Sequence, residues 1–478
     1  MTIRRFLPLV ILLFCGVARA DLAADIKTIL KDKYLAKVEL SISVTKLGKD
    51  AASSASAYRF ESEIPLIPAS NLKVLTTSAF LDHAGADFKF RTRLMAKDGD
   101  VYLIGDGDPT LGDVEMLKKV GWDVTTVFAT WAAELHKHGI TSVRNVFVDD
   151  SVFDQQFIPR NWQAKNLASR YSAQVGGVNL NANCVDVWIK ATTRGQPVEY
   201  LLDPDTRYVS IRNVCVTGNN SAVGITRTQG TNELVLRGEV SANLGEPASA
   251  PIHDPPMFAA TVLAETLARN GVSVQGKVSR DLTARERIDK EPAGWTMVAA
   301  LETKLSTVLD RANKDSMNLY AECLCKRLGN AVSGQSGTWE NGTAAVGEFL
   351  KRVGVPATQF HLDDGSGLSK ENAVSAETLV KVLTYDYFSK NKEIFMNSLA
   401  VAGADGTFKG RFKGNLNGRV FGKSGYVDYV SAISGYLHAH DDNWYAFSIL
   451  MNNCPYKTND QAKKIQERIV AAIDENAN

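Results

Sequence analysis

Two stretches of this chain read the same way and enclose everything between them. Ala132 to Val148 runs helix, Gly139, strand, and Ala264 to Val278 runs helix, Gly271, strand. Leu135 corresponds to Leu267, Ile140 to Val272 and Asp149 to Asp281. A helix that feeds a strand buries its apolar stripe against a sheet, so two related copies far apart in sequence call for α/β pieces around an excursion. That excursion, about 173 to 245, alternates apolar and polar residues: Val185-Asp186-Val187-Trp188-Ile189, then Val209 to Val216, then Leu234 to Val240. It reads as a nested β-rich domain, about 155–250, inside an α/β insertion spanning 87–284.

The flanks of the insertion have a different character. Leu22 to Leu35 reads as a helix, Val38 to Val44 as a strand, and Asn71 to His83 as a helix closed by Gly85. Phe90 to Met95 and Val101 to Ile104 flank Asp98-Gly99, a hairpin signal. Met297 to Leu309 and Ser316 to Leu328 read as helices. Val430 to His438 and Trp444 to Met451 read as strands joined by a polar turn, and Asp460 to Ile473 carries Ile465, Ile469 and Ile473 on one stripe of a closing helix. Residues 21–86 and 285–478 are therefore expected to form one α+β domain, an antiparallel sheet flanked by helices, interrupted by the insertion.

The first twenty residues are expected to be a leader. Arg4 and Arg5 precede an apolar run from Phe6 to Val17, and Ala18-Arg19-Ala20 has the small–x–small form of a signal-peptidase site. About twelve apolar residues are too few to cross a bilayer, which needs about twenty. Phe14 is bulky where a lipidated Cys15 needs a small predecessor. The protein thus reads as exported and periplasmic. Lys plus Arg number 54 against 53 Asp plus Glu, and loss of Arg4, Arg5 and Arg19 with the leader leaves a net charge of −2. That balance supplies no electrostatic footprint for nucleic acid. Five cysteines remain after cleavage. Cys184 and Cys215, both in strand-like segments, are a candidate disulfide; Cys323, Cys325 and Cys454 have no metal-ligand spacing.

Chemistry is concentrated in three short motifs. Ser70-Asn71-Leu72-Lys73 is S-x-x-K, Ser316-Met317-Asn318 is S-x-N, and Lys423-Ser424-Gly425 is a variant of K-T-G. The set is that of penicillin-binding proteins and serine β-lactamases, and its order matters more than any member. Ser70 stands at a helix N-terminus, where unpaired N–H groups favour a developing oxyanion, and Lys73 lies one turn on, on the same face. A lysine acts as base near neutral pH only if burial or a second cation lowers its pKa; Lys423 is a candidate for that cation. Lys423 and the Ser424 hydroxyl suit a terminal carboxylate beside a strand edge, and Gly425 allows a substrate close to the backbone. The structural alternatives are a helix cap for Ser70, a solvated lysine for Lys73, and local capping for Ser316 and Asn318.

With these motifs, the chain resembles class C low-molecular-mass penicillin-binding proteins, the D-alanyl-D-alanine carboxypeptidase/endopeptidases of peptidase family S13. The resemblance extends to Pro68-Ala69-Ser70, to Gly105-Asp106-Gly107-Asp108-Pro109-Thr110-Leu111, and to Asp363-Asp364-Gly365-Ser366-Gly367-Leu368-Ser369. Most specific is the gap of 246 residues between Ser70 and Ser316, far longer than in the related β-lactamases. The resemblance implies Ser70 as acylated nucleophile, Lys73 as its base, and Ser316 with Asn318 as the second catalytic element. Lys423 and Ser424 would hold the substrate carboxylate, and the N–H groups of Ser70 and Tyr426 would form the oxyanion hole. It implies no metal or cofactor, peptidoglycan stem peptides as substrate, and β-lactam antibiotics as covalent inhibitors; peripheral association with membrane or wall is compatible with it. Two departures bear on substrate preference: K-S-G lacks the threonine methyl, and Tyr426 follows where a small residue is usual. Two alternatives stay open on sequence alone: a serine β-lactamase, and a non-catalytic wall-binding protein of the same fold. The insertion is expected to shape access for a large polymer rather than take part in chemistry.

Overall fold

The computed structural model describes residues 21–477, so the expected leader lies outside the described residues. A six-stranded antiparallel sheet organises one half of the molecule, in the spatial order 400–401, 420–427, 430–438, 444–452, 39–47 and 55–60. Its central strands are buried on both faces, so successive side chains enter different cores. Ala432, Tyr436, Ala446 and Leu450 pack with the helices Leu72–Ala84, Leu305–Asn313, Asn318–Ser333 and Ala376–Phe388. Ile433, Leu437, Phe447 and Ile449 pack on the opposite face with Ile26 and Ile29 of the first helix and Ile465, Ile469 and Ile473 of the last. The result is an α+β sandwich with the sheet in the middle.

The helix Leu72–Ala84 runs through the interior, with every residue from Leu72 to Leu81 buried. It therefore carries no single apolar stripe. Lys73, Thr76, Thr77 and Ser78 are buried together with Leu75 and Phe80. Gly85, at φ 77°, closes it.

The second half is built on a five-stranded sheet, in the order 278–280, 146–149, 100–104, 89–97 and 296–304. The two repeated units meet here: Val146 pairs with Val278 and Val148 with Arg280 in a parallel ladder, and Val143 pairs with Val274. Their helices, Thr126–Lys137 and Pro255–Arg269, share a core with Val101, Leu103, Val146 and Val148. Asp98 and Gly99 both have positive φ, 51° and 81°, which is the backbone a tight two-residue hairpin requires.

Two expectations are corrected. Met297 to Leu309 is not one helix: Thr296–Lys304 is a strand paired with Lys89–Lys97, and only Leu305–Asn313 is helical. Met297, Ala299, Ala300, Leu301 and Glu302 are good helix formers, but the ladder with the neighbouring strand overrides their propensity. The sheet consequently runs to residue 304. Nor do Cys184 and Cys215 pair; all five described cysteines are buried free thiols. Cys184 starts a strand in one three-stranded sheet of the nested region and Cys215 lies in the other.

The insertion packs against the rest of the chain. Val152, Phe153, Val175 and Ala182 enter the core formed around the Leu72–Ala84 helix, and Lys326, wholly buried, pairs with Asp154 at 2.5 Å. Among the described residues, no helix is long and apolar enough to cross a membrane.

Candidate active site

Ala69–Asn71 form one 3-10 turn that leads into the Leu72–Ala84 helix. Ala69 sits at φ 45° and Ser316 at φ 58°, the left-handed region that a residue with a Cβ rarely adopts. Such positions cost on the order of 1–3 kcal/mol each and persist where surrounding contacts over-determine them. Here they stand at the first and second motifs, turning Ser70 and Ser316 toward one cleft of about 320 Å³ that Asn318 and Tyr426 also line.

Lys73 is fully buried, which removes the solvated-surface alternative. Its Nζ lies 2.8 Å from Ser70 Oγ, 2.7 Å from Asn318 Oδ1 and 2.9 Å from the Ser366 carbonyl. Asn318 Nδ2 donates to the Tyr171 carbonyl at 2.7 Å, which fixes the amide with its oxygen toward Lys73. Lys423, also fully buried, donates from Nζ to Ser316 Oγ at 2.8 Å and to the Ser424 carbonyl at 2.7 Å. Burial pushes Lys73 down to about 7, against the upward pull of Glu322 and Asp364. Burial also holds Lys423 well below the ordinary lysine range, and the Lys73 charge adds to it. Of the two causes the sequence offered for lowering Lys73, burial is the one that acts, and Lys423 is not a cause of it.

The third motif is distributed differently from the expectation. Ser424 lines an adjacent cavity of about 300 Å³ with Thr407, Arg411 and Lys463, and Tyr426 lines both cavities. Gly425 does face the Ser70 turn: a Cβ there would stand 2.7 Å from Asn71 Nδ2, 2.8 Å from the Pro68 carbonyl and 3.0 Å from Ser70 N. The close approach that needs glycine is therefore that of the Pro68–Asn71 turn against the strand.

Residues outside the three motifs complete the cleft. Gln163, Asn166 and Tyr171 line it from the insertion, and Lys370 and Asp428 from the opposite side. Lys165 reaches Asp428 at 3.3 Å across its mouth. These insertion residues lie on irregular chain with short 3-10 turns, which leaves no periodic signal in the sequence. The 363–369 loop lies against the Pro68–Asn71 turn. A Cβ on Gly367, at φ 83°, would fall 1.9 Å from the Ala69 carbonyl. Gly367→Ala is expected to lower stability by about 2–4 kcal/mol and to slow acylation by displacing Ser70; denaturant midpoints and adduct-formation rates measure both.

The fold is one shared with penicillin-binding proteins. The structure superposes on penicillin binding protein 4 (dacB) from Haemophilus influenzae with a TM-score of 0.76, at 21% identity, over 95% of this chain and 99% of that one. The same protein complexed with a β-lactam gives 0.70 over 93% and 97%, again at 21% identity. A D-alanyl-D-alanine carboxypeptidase of Actinomadura sp. (strain R39) is 30% identical over 467 residues, 91% of this chain and 82% of that protein. The D-Ala-D-Ala carboxypeptidase 3 (S13) family model matches residues 22–476, and the chain belongs to that family. It is a serine-type DD-peptidase.

Proposed function

We propose that this enzyme releases the terminal D-Ala of peptidoglycan stem peptides, or cleaves a D-Ala-containing cross-link, through an ester on Ser70. The observation that carries this reading is the setting of Lys73 Nζ. A neutral amine has two N–H groups and one lone pair. Asn318 Oδ1 and the Ser366 carbonyl accept only, so they take both N–H groups and leave the lone pair facing Ser70 Oγ. Ser70 Oγ then attacks the carbonyl carbon of the penultimate D-Ala while its proton passes to Lys73. The N–H groups of Ser70 and Tyr426 receive the oxyanion. The C–N bond breaks, the leaving nitrogen takes the proton through the Ser316 hydroxyl, and D-Ala departs. Water, deprotonated by Lys73, attacks the ester and restores Ser70.

In this reading Ser424 supplies a hydroxyl for the terminal carboxylate from the cavity it shares with Tyr426, while Lys423, which lines neither cavity, acts through Ser316, to which its Nζ donates. A β-lactam follows the same route in this reading, but its leaving group stays tethered to the acyl chain and the ester persists; that the Haemophilus protein is complexed with a β-lactam supports recognition of this class of ligand. The 87–284 insertion forms the module beside the cleft in this reading, with a leader directing the enzyme to the periplasm. The test is a peptide ending in D-Ala-D-Ala together with a β-lactam. Release of one D-Ala, and a single adduct mapped to the peptide containing Ser70, is the expected result. Rapid turnover of a chromogenic β-lactam with no D-Ala release points instead to a β-lactamase.

A further inference from the structure

A buried acid lies beneath Lys73 that none of the three motifs contains. Glu322 stands one turn after Asn318 on the Asn318–Ser333 helix and is fully buried. Its Oε1 accepts from the Ser366 N–H at 2.9 Å, and its Oε2 accepts from the Gly365 N–H and from Trp339 Nε1, both at 2.8 Å. The carbonyls of the same two loop residues face the nucleophile helix. Ser366 O accepts from Lys73 Nζ at 2.9 Å, and Gly365 O accepts from Thr76 Oγ1 at 2.7 Å. Three successive peptide groups, 364–365 to 366–367, are thus held between a carboxylate on one helix and Thr76 and Lys73 on another.

Asp364 ties down the rest of the loop. It accepts from the N–H groups of Gly367 and Ser369, both at 2.7 Å, from Trp162 Nε1 at 2.8 Å and from Asn372 Nδ2 at 2.9 Å. Glycine at 365 is what lets the loop settle over Glu322: a Cβ there would lie 2.5 Å from Cys325 Cβ and 3.2 Å from Glu322 Oε2. A clamp built only to hold a loop needs no charge at its centre, and two buried carboxyls side by side are costly.

We propose that Glu322, backed by Asp364, is a positioning residue for the reaction: it fixes the Ser366 carbonyl that orients Lys73 and sets a compensating negative charge beneath that lysine. The proposal rests on the reading of Lys73 as the base. The charged groups facing Lys73 are Glu322 from its helix, Asp364 from the loop and Lys423 from the strand; Glu322 itself also faces Lys326, one turn further on. Burial and the Asp364 charge push Glu322 upward from the usual carboxylate range. A protonated Glu322 would nonetheless find N–H donors at its hydrogen-bonded positions and no acceptor among those partners, so the loop fits the ionised form. Acting through space, and together with Asp364, which accepts the N–H of the 366–367 peptide group whose carbonyl meets Lys73, that charge opposes what burial does to Lys73.

The experiment is the pH dependence of acylation by a β-lactam. In the wild type the rate rises with pH through the midpoint set by Lys73. Glu322→Gln is expected to move that midpoint down by roughly one pH unit, since removing an anion lowers the lysine pKa. It should also cut the plateau roughly 10-fold to 100-fold, because the new amide must turn an N–H toward an N–H of the clamp. Asp364→Asn should shift the midpoint in the same direction, whereas Trp339→Phe, which removes a donor and no charge, should leave it in place. A plateau lowered in Glu322→Gln with an unmoved midpoint overturns the proposal and leaves the clamp merely structural. Should Glu322→Gln fail to fold, Asp364→Asn against Trp339→Phe decides on the same readout. A wild-type rate with no such limb instead removes the reading of Lys73, and this inference with it.

Discussion

Ser70→Ala is expected to abolish D-Ala release and to leave no β-lactam adduct detectable by intact mass, a loss of at least about 10⁴-fold in acylation. The hydroxyl is the atom that Lys73 Nζ meets at 2.8 Å in the cleft, and the turn that carries it is held by contacts that do not use it. Gly425 and Gly367 press on the Pro68–Asn71 backbone rather than on the Ser70 side chain. Loss of the hydroxyl removes one of three partners of Lys73 and costs on the order of 1 kcal/mol, so the variant should unfold at nearly the wild-type denaturant concentration. The nearest rival nucleophile is Ser316, whose Oγ is 2.8 Å from Lys423 Nζ. Peptide mapping of the variant therefore decides: a persistent adduct on Ser316, or on any other serine, overturns the assignment of Ser70.

The parts of this structure readable from sequence are those whose local pattern and tertiary partner agree. Asp98-Gly99 fixes a hairpin because both residues tolerate positive φ, and the two helix–Gly–strand units pair through strands whose side chains already matched. The closing strands and helix follow from alternation giving way to a stripe of isoleucines. Thr296–Lys304 was illegible because helix-forming residues there serve a strand whose partner lies two hundred residues earlier. The three motifs locate the cleft, but not what surrounds it. Gln163, Asn166 and Tyr171 come from irregular chain. Glu322 left one faint mark, a lone acid within the apolar run Leu319-Tyr320-Ala321 and Cys323-Leu324, which is how a buried carboxylate on a helix looks in sequence. The glycines of Asp363–Ser369 acquire their reason only when the Ala69 carbonyl and Cys325 are seen to occupy the space a side chain would need.

Lys73→Met tests both halves of the lysine's role, because methionine nearly conserves volume and avoids a cavity. Acylation is expected to fall by at least about 10³-fold, and the pH limb with its midpoint near 7 should vanish, since that limb is the deprotonation of Lys73. The effect on stability runs the other way. A lysine held near 7 in the fold and near 10.5 when unfolded lowers stability by an amount on the order of 5 kcal/mol at neutral pH. The sign follows from the depressed value: the penalty is absent above about 10.5, grows as pH falls toward 7, and is constant below. Methionine removes it but leaves Asn318 Oδ1 and the Ser366 carbonyl without their donor, at about 1–3 kcal/mol each. The variant should therefore match or modestly exceed the wild type in stability at pH 7, and its unfolding free energy should lose the decline between pH 10 and 7 that Lys73 causes. Denaturant melts at several pH values measure this directly. A variant that acylates at the wild-type rate, or one whose stability keeps the wild-type dependence on pH across that range, shows that Lys73 is neither the base nor the strained charge this cleft is built around.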